Sequence, residues 1–514
     1  MSVIRALVPA LKWLIAINIL IPIAFIWFPP GLMAEGDSID YRLPLIDWAI
    51  RHGKYPNFSW TYVDDFPALA EILMAVTRLF ADWGPRLVSV GGYILFVFGS
   101  LRLGKLMLPR QWALAGTLMI AAMNVVTTQD NLLMVDLFAA SMTLWASVYL
   151  VSCWRSNRYQ ARHVVKAGLF AGAALATRYT QLAPIAVLGA LILAMPVGRG
   201  LTPRLRAFGM FAGLATLVFL PWLIRNMVVN GNPFYPLLTP IFGGNFFNSD
   251  RHQEVFSMVG SKWGFGKSLI HFIALPFRFA LYPDAFDYSV GPHTLMFLPW
   301  CALFIAFTLK KQKTWAERLR MISPVLMAFI FLLAWFAVSQ EGRFLIHVVP
   351  AGVFSGLAGM VLWSKFVKSQ KVEWALIGLI VFFGAAATFK HARKHKQELN
   401  PQEALRIYQP HIATWLNANM KDGKVLLMQR TLNLSEAKRD FVFAYPHVYS
   451  TSRYDHRHYK DIRTYCNDLY DEGVRYMYFT HKGFAQKQPV IQNCPIRVVY
   501  APPEGGYIYA LDKI

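Results

Sequence analysis

Long apolar runs separated by short basic segments dominate the hydrophobic pattern of this chain. A helix needs about 20 mostly apolar residues to cross a bilayer, and on that criterion the sequence predicts about eleven crossings. The first covers Leu7–Phe28 and the last covers Trp374–Phe389. Two further apolar stretches, Phe66–Phe80 and Leu269–Leu281, are too short to cross. We therefore predict that they are interfacial helices.

Lys and Arg residues cluster in the segments between the apolar runs, and this bias predicts which loops stay in the cytoplasm. On this interpretation the N-terminus is cytoplasmic, while a first external loop (31–85) and a long external loop (226–292) lie on the opposite side. The orientation depends on Phe66–Phe80 not crossing, because a crossing there would invert every later loop. Residues 1–389 form the predicted transmembrane domain.

The pattern changes after residue 389. A predicted helix, Pro401–Met420, alternates with five short β runs, which favours a small α/β domain over 390–514 on the outer side. Cys466 and Cys494 would then lie in an oxidising compartment, so a disulfide is compatible with the sequence, although spacing alone does not decide it. The five runs are KVLLMQ, FVFAYPHVYS, YMYFTH, IRVVYAPP and GYIYAL.

Composition agrees with a membrane protein, since 55% of the 514 residues are hydrophobic and only 16% are charged. The formal net charge of +22 could suggest a nucleic-acid partner. However, the basic residues lie between apolar runs rather than on one folded face, so they indicate topology and not nucleic-acid binding. The cysteines and the scattered histidines have no metal-ligand spacing.

One loop is unusually acidic for so basic a chain. The stretch EGDSIDYRLPLIDWAIRHGKYPNFSWTYVDDFPALAE begins at Glu35 and ends at Glu71. A carboxylate just past the first span could take the proton of a hydroxyl that attacks a lipid-linked substrate, which makes Asp37 a candidate base. Asp40, three residues on, would share its side of a helix. The alternative is that Asp37 caps a helix N-terminus, and the residues alone leave both interpretations open.

Charged residues also occur at the predicted outer ends of later spans. Arg178 lies at an outer turn, where its donors suit a phosphate, although snorkelling to the interface is the alternative. Arg343 is similarly placed, with pairing to Glu341 as the alternative. Asp136 lies near the outer membrane edge, where it either pairs with an arginine or contributes to the site. Asp130 is the competing acidic residue, in a TTQDN context typical of a solvated turn.

Taken in order, these motifs resemble those of the GT-C glycosyltransferases, and the bacterial branch that uses polyprenyl-phosphate donors is nearest. That branch includes the lipid A aminoarabinose transferase and the protein mannosyltransferases. The resemblance covers most of the membrane part. The motifs that carry it are GDSIDYRLPLIDWAIRHG, DDFPALAEIL, VDLFAAS, TRYTQ, GNPFYPLL and EGRFLIHVVP.

This resemblance implies a polytopic α-helical membrane protein of GT-C type and an inverting hexosyl- or pentosyltransferase of the bacterial inner membrane. The donor would be a polyprenyl-phosphate sugar, and the acceptor a glycan, lipid or protein on the periplasmic side. Asp37 would be the catalytic base, Asp136 would assist, and Arg178 and Arg343 would contact the donor phosphate. The further candidates for substrate binding in or beside these motifs are Asp40, Tyr41, Glu71, Tyr179 and Glu341.

The sequence departs from the family at one position. The family's usual Asp-Glu pair is Asp37-Ser38 here, so we expect no metal cofactor, with a divalent ion as the open alternative. Two other functions also stay open. A transporter or flippase for lipid-linked sugars would show internal repeats or mid-span charges, which the sequence lacks. A glycan ligase or polymerase would use a pyrophosphate-linked donor.

Overall fold

We describe a computed structural model of the 514-residue protein. The structure describes residues 2–27, 42–56, 65–130, 132–198, 200–244, 264–286, 293–398, 410–420, 422–427, 440–443, 461–479, 492–503 and 507–513. The helices are α1 (Ser2–Ala24), α2 (Leu43–His52), α3 (Leu69–Arg78), α4 (Pro85–Met107), α5 (Arg110–Ala121), α6 (Asn124–Thr127), α7 (Asp136–Arg155), α8 (Ala161–Thr177), α9 (Leu182–Ala194), α10 (Thr202–Asn230), α11 (Thr239–Phe242), α12 (Leu269–Ile273), α13 (Leu275–Leu281), α14 (His293–Lys311), α15 (Trp315–Val338), α16 (Val349–Val367), α17 (Gln370–Glu398), α18 (Pro410–Asn419) and α19 (Ile462–Asp471).

Helices occupy the positions of the predicted spans, from α1 at the first apolar run to α17 at the last. Seven helices within the described residues are long and apolar enough to cross a membrane. The polytopic helical architecture is therefore confirmed, while the number of eleven crossings stays a prediction. Helix α17 continues to Glu398, beyond the domain boundary predicted at residue 389.

Close packing between α8 and α10 depends on two glycines spaced four residues apart. A Cβ added at Gly168 would lie 2.9 Å from Cβ of Leu214, and one added at Gly172 would lie 2.6 Å from Cβ of Val218. Small residues at this spacing let the backbones of membrane helices approach each other closely. The glycines thus fix the end of α8, and the turn that follows it, against α10.

The interfacial prediction at Phe66–Phe80 corresponds to α3, which has only ten residues and cannot cross a bilayer. Ile72 and Val76 on one face are exposed, while Glu71 on the other face is buried. The second interfacial prediction corresponds to the short helices α12 and α13, which also carry exposed apolar side chains. Amphipathic helices of this kind lie along a membrane surface.

The C-terminal part contains a five-stranded sheet, which confirms the predicted α/β character. Its order is β2-β1-β3-β5-β4. Strands β2, β1 and β3 pair in parallel, whereas β5 pairs antiparallel with β3 and β4. Cys466 on α19 is bonded to Cys494, so the disulfide left open by the sequence is present. The strands are β1 (Lys424–Leu427), β2 (Asp440–Phe443), β3 (Val474–Phe479), β4 (Ile496–Tyr500) and β5 (Tyr507–Leu511).

Candidate active site

The predicted site residues fall into two groups. Asp37, Asp40 and Tyr41 lie outside the described residues, so their placement is not part of this structure. The other candidates are described, and each is buried or nearly so. They are Glu71, Asp136, Arg178, Tyr179, Glu341 and Arg343.

Asp136 forms ion pairs with both of the predicted phosphate-binding arginines. It is the first residue of α7, and its Oδ1 lies 3.1 Å from Nη1 of Arg178. Its Oδ2 lies 3.9 Å from Nε of Arg343. Arg178 directly follows the last residue of α8, where the backbone becomes extended. The start of α7 and the end of α8 therefore bring a buried carboxylate and a guanidinium together.

Glu341 and Arg343 belong to the connection between α15 and α16. The two side chains form an ion pair, as the sequence allowed, and Arg343 contacts Asp136 at the same time. The carbonyl oxygen of Glu341 accepts a hydrogen bond of 2.7 Å from Nε1 of Trp335. The local pair and the site contact are thus compatible, because Glu341 holds Arg343 on the side facing Asp136.

Glu71 and Arg42 form a second ion pair beside the first, with Nε of Arg42 lying 3.5 Å from Oε1 of Glu71. Arg42 is completely buried, and its Nη1 donates to the carbonyl of Leu133 at 3.1 Å. Nη1 of Arg42 also lies 3.1 Å from Sδ of Met134, and Nη1 of Arg343 lies 4.0 Å from the same sulfur. Met134 therefore connects the two ion pairs.

Burial raises the pKa of Glu71. The positive charges of Arg42 and Arg178 oppose this shift, while the charge of Asp136 adds to it. Glu71 is consequently within electrostatic reach of both halves of the arrangement. We call the whole set the buried charge cluster, and its six members are Arg42, Glu71, Asp136, Arg178, Glu341 and Arg343.

The sequence analysis did not single out Arg42, although the residue lies inside the motif GDSIDYRLPLIDWAIRHG. An arginine among several carboxylates in a loop is usually a surface residue. Its burial results from contacts with Leu133 and Met134, which are far away in the chain. Only the tertiary structure brings these segments together.

Tyr179 follows Arg178, but its hydroxyl belongs to a separate network. The hydroxyl donates to the carbonyl of Tyr235 at 3.1 Å and accepts from Nδ2 of Asn226 at 3.2 Å. Burial raises the pKa of this phenol. These contacts connect the turn after α8 to the loop that follows α10. They give Tyr179 an anchoring position next to the buried charge cluster.

Asp65 is a further buried carboxylate that sequence reasoning did not single out. Its Oδ1 accepts from Nη1 of Arg225 and from Nδ2 of Asn230, each at 2.9 Å. Its carbonyl oxygen accepts from Nε1 of Trp222 and from Nδ2 of Asn226. All four donors lie near the end of α10. This network holds the segment leading into α3, and so positions Glu71.

Asp130 does not lie in the solvated turn that its sequence context suggested. It is completely buried, with Oδ2 at 2.7 Å from Nε2 of His391 on α17. Nδ1 of His391 lies 3.3 Å from Oδ1 of Asn18 on α1. That expectation was wrong because the partners come from the two ends of the transmembrane domain. Asp136, and not Asp130, contacts Arg178 and Arg343.

In the part of the chain that the structure describes, no group of three His, Cys, Asp or Glu side chains has the geometry of a metal site. Within the buried charge cluster each carboxylate contacts an arginine instead.

Residues 84–350 match a family described as a domain of unknown function, DUF8201. The match covers just over half of the chain. The protein belongs to this family. The DUF8201 match extends from the start of α4 to the start of α16, so it contains Asp136, Arg178 and Arg343, whereas Arg42 and Glu71 precede it. No curated protein matches this DUF8201 member significantly in sequence.

Several solved structures resemble this DUF8201 protein over nearly its whole length. ArnT from Cupriavidus metallidurans, bound to undecaprenyl phosphate, has a TM-score of 0.63 at 12% identity and covers 97% of this chain and 98% of its own. The oligosaccharyltransferase AglB from Archaeoglobus fulgidus, in complex with an inhibitory peptide and a dolichol-phosphate, has a TM-score of 0.53 at 12% identity and covers 98% and 74%.

The arabinofuranosyltransferase AftD from Mycobacteria has a TM-score of 0.56 at 11% identity and covers 98% of this chain but 41% of its own. At such low identities these similarities establish the fold. The predicted GT-C fold of a multi-pass membrane protein is confirmed.

Proposed function

We propose that this protein is a membrane glycosyltransferase that moves a sugar from a polyprenyl-phosphate carrier to an acceptor on the periplasmic side of a bacterial inner membrane. The observation that carries the proposal is the buried charge cluster, in which Arg178 and Arg343 both contact Asp136 inside a GT-C fold. Charged side chains are costly within a membrane domain and usually serve a function there.

The composition of the cluster suits a phosphate ligand. A guanidinium group presents a rigid fork of N–H donors that matches phosphate oxygens, and Arg42, Arg178 and Arg343 supply three such groups. Asp136 and Glu341 hold two of them in place. The similar ArnT structure contains undecaprenyl phosphate and the similar AglB structure contains a dolichol-phosphate. A lipid phosphate is therefore the ligand class that we propose for this chain.

In the proposed reaction, the acceptor hydroxyl oxygen attacks the anomeric carbon of the donor sugar. The bond between that carbon and the phosphate oxygen breaks, so the configuration inverts and polyprenyl phosphate leaves with the bonding electrons. The arginines stabilise the negative charge that develops on the phosphate. Asp37 takes the proton of the acceptor hydroxyl. Asp37 precedes Arg42 by five residues, so the Cα atoms of the two residues can be at most about 18 Å apart.

Mass spectrometry of cell-envelope glycans, with and without the protein, tests the proposed activity. We expect one glycan or glycolipid to lose a single sugar residue in cells that lack the protein. Wild-type protein should restore that sugar, and an Asp82→Asn variant should do so as well, because Asp82 is exposed and outside the cluster. An unchanged set of envelope glycans would contradict the proposal.

A pyrophosphate-linked donor is the second candidate, because the guanidinium N–H donors of Arg42, Arg178 and Arg343 would suit the oxygens of a second phosphate group as well. The two functions differ in the lipid that the reaction releases. A glycosyltransferase of the proposed type releases a polyprenyl monophosphate, whereas a ligase or polymerase releases a pyrophosphate. Mass spectrometry of the lipid product separates them.

A further inference from the structure

A cavity lies between the starts of α8 and α10, at the other end of the helices from the buried charge cluster. Asp136 begins α7 and Arg155 ends it, and a helix of 20 residues rises about 30 Å. We call the cavity the α8–α10 pocket. Its volume is about 750 Å³, and it is lined by Arg158, Tyr159, Gln160, Arg162, Thr202 and Arg206, with Val164, Ala207 and Met210 as apolar parts of the wall.

The charged residues that line the α8–α10 pocket have one sign. They are Arg158, Arg162 and Arg206, and no acidic side chain occurs among the described residues of the lining. The sequence contains no Asp or Glu at any position from 137 to 249. Arg162 interacts with the neutral side chain of Gln160, its Nε donating to Oε1 at 3.2 Å. An anionic ligand would supply the missing negative charge.

The two helix starts add to the positive field. Helix α8 has 17 residues and α10 has 29, and neither N-cap residue, Gln160 or Leu201, makes a side-chain capping hydrogen bond. The N-terminus of a helix carries a partial positive charge and presents amide groups that bind phosphate readily. Two such ends and three arginines meet at one pocket.

The walls of the pocket are held in fixed positions. The hydroxyl of Tyr159 donates to the carbonyl of Ile192 at 2.7 Å, which ties the start of α8 to the end of α9. Gly168 and Gly172 hold α8 against α10. Val164 and Ala207 are buried between the two helices. A pocket with fixed walls loses little conformational freedom when a ligand binds.

Apolar side chains flank the start of α10. Leu201 and Leu205 are 57% and 52% exposed. In a membrane such leucines would contact acyl chains, and basic pockets between transmembrane helices bind anionic lipid headgroups. We propose that the α8–α10 pocket binds a phosphate-bearing anion, with the headgroup of an anionic phospholipid as its source. This site is separate from the buried charge cluster and does not depend on the proposed glycosyl transfer.

Native mass spectrometry of the full-length protein in detergent tests the proposal, with phosphatidylglycerol, phosphatidylcholine and inorganic phosphate as the probes. We expect phosphatidylglycerol to bind more tightly than phosphatidylcholine. The double substitution Arg158→Gln/Arg206→Gln should weaken phosphatidylglycerol binding by about 30-fold. The matched substitution Lys105→Gln/Arg110→Gln removes two exposed basic residues, one in the last turn of α4 and one at the start of α5, both outside the pocket lining, and should leave binding unchanged.

The conservative substitution Arg158→Lys/Arg206→Lys keeps both positive charges, so it should retain most of the phosphatidylglycerol binding. That result would show that substitution at these two positions does not by itself unfold the protein.

Equal losses of binding in the Arg158→Gln/Arg206→Gln variant and in the matched control would overturn the proposal, because the basic residues would then act only through the overall positive charge of the protein. Absence of any preference for phosphatidylglycerol over phosphatidylcholine, with no binding of inorganic phosphate, would overturn it too. If inorganic phosphate binds as tightly as the lipid and the Gln variant loses both, the phosphate site is supported and its source is a soluble compound.

Discussion

The carboxylate of Asp136 contacts two arginines that come from distant parts of the chain. Removing one partner of a buried ion pair leaves the other charge uncompensated, which costs about 3–5 kcal/mol. A substitution in the buried charge cluster is therefore expected to affect folding as well as the proposed binding of the donor phosphate. Variants that keep the charge separate these two effects.

Substitution of Arg178 tests its role toward the donor phosphate. We expect Arg178→Ala to raise the apparent KM for the lipid-linked donor by about tenfold or more, because charge-assisted hydrogen bonds to the phosphate are lost. Arg178→Lys keeps the positive charge beside Asp136 and should fold normally while losing part of the affinity. Arg51→Ala, at an exposed position in the last turn of α2, is the matched control. Steady-state kinetics give the result, and an unchanged donor KM in Arg178→Ala would count against the phosphate role.

Asp47 on α2 predicts a pH dependence of stability. Its Oδ1 lies 2.6 Å from Nε of Arg78, yet burial raises its pKa to about 6 from an ordinary value of 3.8, and Arg78 offsets this shift only in part. The folded state therefore binds this proton more tightly than the unfolded state does. The contribution of Asp47 to the free energy of unfolding is fully present below about pH 4 and is lost as the pH rises through about 6.

Thermal unfolding in detergent between pH 4 and pH 7 measures this effect. Asp47→Asn should remove up to about 2 kcal/mol of the decline in stability that wild-type protein shows over this range. Asp82→Asn should keep the decline, because Asp82 is 85% exposed and lies 3.8 Å from the same arginine. If the stability of wild type and of Asp47→Asn changed with pH in the same way, the raised pKa of Asp47 in the folded protein would be contradicted.

At the scale of elements, the contact between α8 and α10 depends on Gly172. A Cβ there would lie 2.6 Å from Cβ of Val218 and 2.7 Å from the carbonyl oxygen of Ala215, so Gly172→Ala should destabilise the protein by about 1–3 kcal/mol. Gly213→Ala on α10 is the matched control, since a Cβ there meets no atom within 4 Å. That substitution should be neutral or stabilising by up to about 1 kcal/mol.

Thermal unfolding of both glycine variants decides this point. The unfolding temperature of Gly172→Ala should fall and that of Gly213→Ala should hold or rise. Equal changes in unfolding temperature for the two variants would contradict the prediction, because α8 and α10 would then accommodate a methyl group at Gly172 without loss of stability. The same contact positions Arg178, which directly follows α8, so Gly172→Ala should also lower the affinity for the donor.

Sequence patterns predicted the elements well because hydrophobic periodicity is a local property. Runs of apolar residues located the membrane helices, and alternation located all five strands, with β1 inside KVLLMQ and β5 inside GYIYAL. The pattern missed α19, whose amphipathic face packs beneath the sheet. Helix α19 contains several polar residues, and the burial of Tyr465 and Leu469 depends on strands far away in the chain.

The candidate site was predictable in part. Asp136, Arg178 and Arg343 stood out because a charge at the end of an apolar span is unusual. Arg42 did not stand out, and Asp130 was placed in a solvated turn, because the partners of both residues are set by tertiary packing: Arg42 contacts Leu133, and Asp130 contacts His391. No local pattern encodes such pairings, so charges inside ordinary loop sequences escape detection.

At the scale of the whole molecule, the C-terminal part carries a disulfide that reports on its compartment. Cys466 and Cys494 close a loop with a sequence separation of 28, and a loop of that size stabilises a domain by about 3–4 kcal/mol. Maleimide labelling of the denatured protein should therefore modify two cysteines before reduction, Cys153 and Cys301, and four after it. Four labels without reductant would contradict both the pairing and an oxidising location.

The central proposal is that Asp37 serves as the base for sugar transfer from a lipid phosphate. It rests on the GT-C fold, the buried charge cluster and the acidic loop that contains Asp37. The most direct measurement is the initial rate of polyprenyl phosphate release by purified protein, given the donor and acceptor that envelope glycan analysis identifies. Asp37→Asn should lower the rate by about 100-fold or more, with unfolding unchanged. Asp82→Asn should keep the wild-type rate, and full turnover by Asp37→Asn would contradict the account.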